Sequence, residues 1–191
     1  MNQPIRCFIA IEIPGTIQNQ LARIQDALRK QIQKASWVKP SNIHLTLKFL
    51  GEVDPGDLAS IGEAIEKATR RHRSFSLHIG GVGAFPNLAR PRVMWVGVKV
   101  GAGRVSGLTQ DINIALSHCG FSFDTKKFNP HLTIARLKER IDLRPYTDHY
   151  RQYDRINGAE MSVDTISLVQ SQLHPQGAIY STLQSYSLTQ P

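Results

Sequence analysis

Two copies of a four-residue pattern, His44-Leu45-Thr46-Leu47 and His131-Leu132-Thr133-Ile134, sit at matching points of a repeated strand–helix–strand unit. Ahead of the first copy lie an apolar run at 5–13 and a helical periodicity over about 16–34. Ahead of the second lie an apolar run at 93–100 and a helical periodicity over about 104–119. Phe8 precedes His44 by 36 positions, and Trp95 precedes His131 by the same 36. An internal repeat at this pitch implies two similar lobes related by a pseudo-two-fold axis. That symmetry brings the two His-x-Thr strands face to face across a cleft.

In a β-strand, residues i and i+2 share a face. Each copy therefore aims an imidazole and a hydroxyl the same way, while Leu45 and Leu47, or Leu132 and Ile134, bury the other face. Histidine is the side chain suited to proton transfer near neutral pH, so two imidazoles can serve as one acid and one base. Two hydroxyls can hold a phosphate between them. The competing reading, ordinary half-buried strand histidines, has to produce the same four-residue pattern twice among seven histidines.

The elements between these strands predict an α+β chain. Ile17, Leu21, Ile24, Leu28 and Ile32 recur at spacings of three and four after Pro14-Gly15, with Thr16 placed to cap the helix. A strand at 43–50 follows, then a second amphipathic helix marked by Leu58, Ile61, Ile65 and Ala68. Phe75, Leu77 and Ile79 alternate as a strand leading into a loop at 80–91. Gly101-Ala102-Gly103-Arg104-Val105-Ser106-Gly107 stands between a strand and a helix, one residue off a dinucleotide-binding spacing, and reads as a flexible turn. Residues 137–158 form a polar excursion, and strands at 160–168 and 178–188 close the chain. The order lacks the regular alternation of a doubly wound sheet. It predicts two mostly antiparallel sheets with outer helices, in one two-lobed domain over 1–191.

The net charge of +8, from 23 Lys and Arg against 15 Asp and Glu, favours polyanionic partners. Cys7 and Cys119 are too few and too isolated for a disulfide framework or a thiolate metal site. The N-terminal apolar run is interrupted by Glu12 and does not read as a secretory signal, and no stretch is long enough to span a bilayer, so the expected location is cytoplasmic.

Arg6-Cys7-Phe8-Ile9-Ala10-Ile11, His44-Leu45-Thr46-Leu47-Lys48-Phe49-Leu50-Gly51, Arg92-Val93-Met94-Trp95-Val96-Gly97 and Pro130-His131-Leu132-Thr133-Ile134-Ala135-Arg136 together resemble the RNA 2′,3′-cyclic phosphodiesterases, also called 2′–5′ RNA ligases, of the two-histidine phosphoesterase superfamily. The tail at 168–180, with Ser171 and Gly177, fits as well. The resemblance implies a bilobal α+β fold with a cleft between two sheets. It implies hydrolysis of RNA 2′,3′-cyclic phosphate ends to 2′-phosphates, with some members joining or cleaving 2′–5′ linkages. It assigns His44 as proton donor and His131 as acceptor, an order that the two near-identical motifs do not set by themselves. Thr46 and Thr133 are expected to hydrogen-bond the non-bridging phosphate oxygens. No cofactor, metal, membrane or obligatory protein partner is expected, only an RNA end.

Lys48 and Arg136 are further candidates for substrate contact. Lys48 shares the parity of His44. Strict alternation places Arg136 opposite His131, so it reaches the cleft only where the strand bends or ends. Two rival functions stand beside the phosphoesterase. A metallohydrolase would need ligand clusters, and His72, His78, His118, His149 and His174 form no close pairs with accompanying carboxylates. A non-catalytic RNA-end-binding module would not need two titrating groups.

Overall fold

A computed structural model describes residues 3–154, 156, 159–175 and 177–190. The first half runs β1 (Ile5–Glu12), α1 (Gly15–Arg29), a short β2 (Ala35–Trp37), β3 (His44–Val53) and α2 (Leu58–Thr69). The second runs β4 (Phe75–Phe85), β5 (Val93–Val100), α3 (Ala102–Ser117), β6 (His131–Leu137) and the single-turn α4 (Thr147–Arg151). β7 (Glu160–Val163), β8 (Thr165–Gln172) and β9 (Ile179–Ser187) follow.

The strands order as β7-β4-β5-β6-β3-β1-β8-β9, with antiparallel neighbours throughout and β2 added alongside β6. The order reads symmetrically from its centre, where β6 and β3 carry the two His-x-Thr patterns. The expected two sheets are the two outer sets of four. They meet through one ladder pairing, Leu45 opposite Leu132, so hydrogen bonding is continuous across the pseudo-two-fold. Both leucines are fully buried, each burial worth about 1.5–3 kcal/mol.

The apolar patterns explain which faces are covered. Cys7, Ile9 and Ile11 of β1 join the main core with Leu21, Leu28, Ile61 and Ile112 of the helices, while Phe8 and Ala10 point the other way into a small cluster with Val169 and Tyr180. Cys7 therefore packs as a small hydrophobe, and Cys119 is exposed. α1 and α3 each also serve the opposite half. Gln25 of α1, almost fully buried, donates through Nε2 to the carbonyls of Val38 and Ile134, both at 2.8 Å. Asn113 of α3 accepts from Lys48 of β3 at 2.6 Å.

Several expectations need correction. Pro14 holds the N-cap of α1 without a side-chain cap, and Thr16 lies inside the first turn. The segment expected as a loop from position 80 continues β4 as far as Phe85. Its glycines make this possible: a Cβ on Gly83 would lie 2.3 Å from the Trp95 ring on the neighbouring strand, so only glycine lets the indole pack flat there. The expected strand at 160–168 is two strands that part at Asp164, β7 pairing with β4 and β8 with β1 at opposite ends of the sheet. Of the glycine-rich segment expected as a turn, only Gly101 precedes α3, at φ 85° where a Cβ would meet the Ser76 carbonyl at 2.5 Å, and positions 102–107 already form the first turns of the helix. Within the polar excursion, positions 155, 157 and 158 lie outside the described residues, as does 176 in the tail. Among the described residues, no helix is long and apolar enough to cross a membrane.

Candidate active site

His44 and His131 are the first residues of β3 and β6, and the seven residues from each histidine onward have the same succession of burial: half-buried, buried, half-buried, buried, buried, exposed, half-buried. With Leu45 opposite Leu132 in an antiparallel pair, the flanking positions set His44 beside Thr133 and Thr46 beside His131. All four side chains lie on the face away from the two leucines. They line a cleft of about 1230 Å³.

The two imidazoles are held in the same way. His44 Nδ1 lies 2.9 Å from the Asn42 carbonyl, and His131 Nδ1 lies 2.7 Å from the Asn129 carbonyl. A carbonyl only accepts, so each Nδ1 carries the proton and each Nε2 is left for chemistry. Aromatic rings fix the imidazole planes. Phe8 stacks on His44 at 4.5 Å with Tyr180 edge-on at 5.2 Å, while Phe85 meets His131 edge-on at 4.8 Å with Trp95 at 6.4 Å. The 36-residue pitch in the sequence thus corresponds to a ring contact in each half.

These rings also desolvate the histidines. Burial pushes His44 below the ordinary histidine range, against the opposing effect of its Asn42 bond. His131 is lowered by burial first and by the positive charge of Arg136 second, against its Asn129 bond.

A matched pair of β-bulges decides what else enters the cleft. Ala10 pairs with Thr46 but Ile9 pairs with Lys48, leaving Leu47 as an extra residue. Trp95 pairs with Thr133 but Met94 pairs with Ala135, leaving Ile134 extra. One inserted residue reverses side-chain parity. Beyond the bulges, Lys48 and Ala135 turn to the core side, and Phe49 and Arg136 turn to the cleft, which both line. The Ile134 carbonyl accepts from Gln25 and from the Val38 backbone N–H.

The parity of Lys48 with His44 is therefore misleading. Its side chain is 2% exposed, and Nζ donates to Asn113 Oδ1 at 2.6 Å, the Ser122 carbonyl at 2.9 Å and Asp124 Oδ2 at 2.9 Å. Lys48 borders the cleft, but all three donors are used inside the protein, so it ties β3, α3 and the loop before β6 together. Arg136 reaches the cleft through the bulge. Sequence reasoning missed Gln25, Asn113, Phe49, Phe85 and Tyr180. It also passed over one legible signal, the asparagine two residues before each histidine, whose carbonyl orients the ring. Among the described residues, no three His, Cys, Asp or Glu side chains converge as a metal site would require.

Paired His-x-Thr strands meeting at a pseudo-two-fold, with both imidazoles presenting Nε2 to one cleft, define a two-histidine phosphoesterase. The model of the LigT-like phosphoesterases matches this chain twice, over residues 11–95 and 96–180, once for each half of the repeat. The chain belongs to that family. It is similar to the RNA 2′,3′-cyclic phosphodiesterase of Aeropyrum pernix, 37% identical over 164 residues that cover 86% of this chain and 92% of that protein. It is similar to the protein of the same name from Thermotoga maritima, 36% identical over 189 residues covering 94% and 93%. The crystal structure of a Thermus thermophilus protein superimposes with a TM-score of 0.79 at 27% identity, covering 96% of this chain and 98% of that one.

Proposed function

We propose that this chain, acting as one two-lobed unit, hydrolyses the 2′,3′-cyclic phosphate at the end of an RNA to a 2′-phosphate. The observation that carries the reading is the crossed quartet of His44, Thr133, Thr46 and His131, with both Nδ1 atoms engaged by backbone carbonyls. His131 Nε2 takes a proton from water as its oxygen bonds to phosphorus. The P–O3′ bond breaks, and His44 Nε2 gives its proton to the departing O3′. The phosphate stays on O2′, a 3′-hydroxyl is released, and proton exchange with solvent restores both histidines. Thr46 and Thr133 donate to the non-bridging oxygens as charge gathers there. Arg136 adds a positive charge at the cleft. A 5′-hydroxyl attacking in place of water would give a 2′–5′ linkage by the same step.

The deciding assay incubates a short RNA carrying a 2′,3′-cyclic phosphate with the protein in excess EDTA. A 2′-phosphate product, resistant to enzymes specific for 3′-phosphates, is expected. A 3′-phosphate product, or a reaction stopped by the chelator, would refute the scheme.

The scheme also sets the pH dependence. Activity needs one imidazole protonated and one neutral, and both are held below about 6.5, the unperturbed value. The bell-shaped profile of kcat/KM, which reports the free enzyme, is therefore expected to peak below that pH. A bound phosphate anion favours the imidazolium, so the kcat profile should lie at higher pH than the kcat/KM profile. Coincident profiles centred above pH 7 would refute this.

Arg136→Gln removes a charge that lowers His131 and a positive partner for phosphate. The limb belonging to His131 should move to higher pH, and KM should rise roughly tenfold, as expected for losing a charge-assisted contact. Unchanged KM and unchanged limbs would remove Arg136 from the site.

A further inference from the structure

Large apolar side chains on a surface are informative when they cluster. Phe49 is 65% exposed and Phe123 is 47% exposed, and both line the cleft. Phe49 stands on β3 just beyond the bulge that turns it outward, and its ring lies 6.1 Å from Phe8, the ring stacked on His44. Phe123 belongs to the loop before β6. That loop is held to β3 on both sides of Phe123, because Lys48 binds the Ser122 carbonyl and the Asp124 carboxylate. The backbone at both positions is thus anchored to the strand that carries His44, by β3 itself and by a buried cation, although neither ring takes part in the proton transfers.

Positive charge accompanies them. Arg6, Lys126 and Lys127 line the same cleft, and none is in an ion pair among the described residues, whereas Arg70, Lys99 and Arg144 elsewhere are paired with carboxylates. Aromatic faces beside unpaired cations are what a single strand of nucleic acid uses, bases stacking on rings and phosphates meeting the charges. In the proposed chemistry O3′ departs toward His44, so the terminal ribose lies on the His44 side of the cleft, the side on which Phe8 and Phe49 stand.

We infer that Phe49 and Phe123 form a subsite for the base of the nucleotide before the cyclic phosphate, with Arg6, Lys126 and Lys127 meeting its phosphate. The inference rests on the hydrolysis proposed above and narrows it: the site is built for an oligonucleotide end in preference to a free nucleoside cyclic phosphate.

The test compares kcat/KM for a dinucleotide and a mononucleoside, each ending in a 2′,3′-cyclic phosphate, in the native protein and in Phe49→Ala, Phe123→Ala and Phe49→Trp. The native protein should favour the dinucleotide by about tenfold or more, mostly through KM, since a stacked base is commonly worth that much. Each alanine variant should lose most of that ratio, and Phe49→Trp should keep it. Using the ratio cancels any general loss of activity. A native ratio near one, or a ratio unchanged in both alanine variants, would overturn the subsite. If the native protein turns over neither substrate, the proposed hydrolysis fails and fluorescence anisotropy decides the subsite. Tighter binding of a 3′-phosphorylated dinucleotide than of the mononucleotide, weakened in both alanine variants, supports it; equal binding of the two overturns it.

Discussion

Alanine at His131 is expected to reduce turnover of a cyclic phosphate end at least about 10³-fold, and alanine at His44 by a similar factor, with KM little changed. A positioned acid or base commonly contributes 10²–10⁴-fold, and the chemistry proposed here uses one of each. The two losses should not multiply. Residues that act as a unit in one proton-transfer scheme are non-additive, so the double variant should lie close to the worse single one. Both imidazoles are half-buried at strand ends and bonded only to a local carbonyl, so the variants should fold. An unchanged melting temperature beside lost turnover would separate chemistry from stability. Substantial activity in His131→Ala would end the two-histidine scheme.

The near symmetry of the motifs makes the order of acid and base a separate question, and the leaving group can answer it. A phosphodiester that releases p-nitrophenolate needs little help from a general acid. It should restore much of the activity of His44→Ala while leaving His131→Ala inactive. The opposite pattern would exchange the two roles.

What was legible in the sequence follows the range of the forces involved. The His-x-Thr alternation and the apolar spacing of α1 and α2 are local, and they place four cleft side chains and the helical core correctly. The equal pitch from Phe8 to His44 and from Trp95 to His131 is also visible without a structure, and each pair is a ring contact. The bulges at Leu47 and Ile134 are not local. They depend on how β1 and β5 register against β3 and β6. A single inserted residue reversed the expected faces of Lys48 and Arg136. The parting of β7 and β8 at Asp164 coincides with a change of parity, since Met161 and Val163 are buried on odd positions and Ile166 and Leu168 on even ones. That slip was readable in the sequence, whereas the separate partners, β4 for β7 and β1 for β8, were not.

Lys48→Met should be the most damaging change outside the chemical groups, lowering stability by about 2–4 kcal/mol and the melting temperature by on the order of 10 °C. Methionine preserves the length and apolar stem of lysine but removes three donors. Asn113 Oδ1 then remains buried on α3 without a partner, at about 1–3 kcal/mol, and the Ser122 carbonyl loses its side-chain donor. Asp124 behaves differently. Its side chain is 57% exposed and can rehydrate, so its share of the ion pair is small. Asp124→Asn should therefore cost less than about 1 kcal/mol, and the gap between the two variants measures the buried amide and carbonyl rather than the charge pair. The tie also joins β3, which carries His44, to the loop that ends at Asn129, whose carbonyl orients His131. Loosening it should raise KM and lower kcat together even where the protein remains folded. Equal and small losses of stability in Lys48→Met and Asp124→Asn, with unchanged kinetics, would mean that the loop holds its place without the cation.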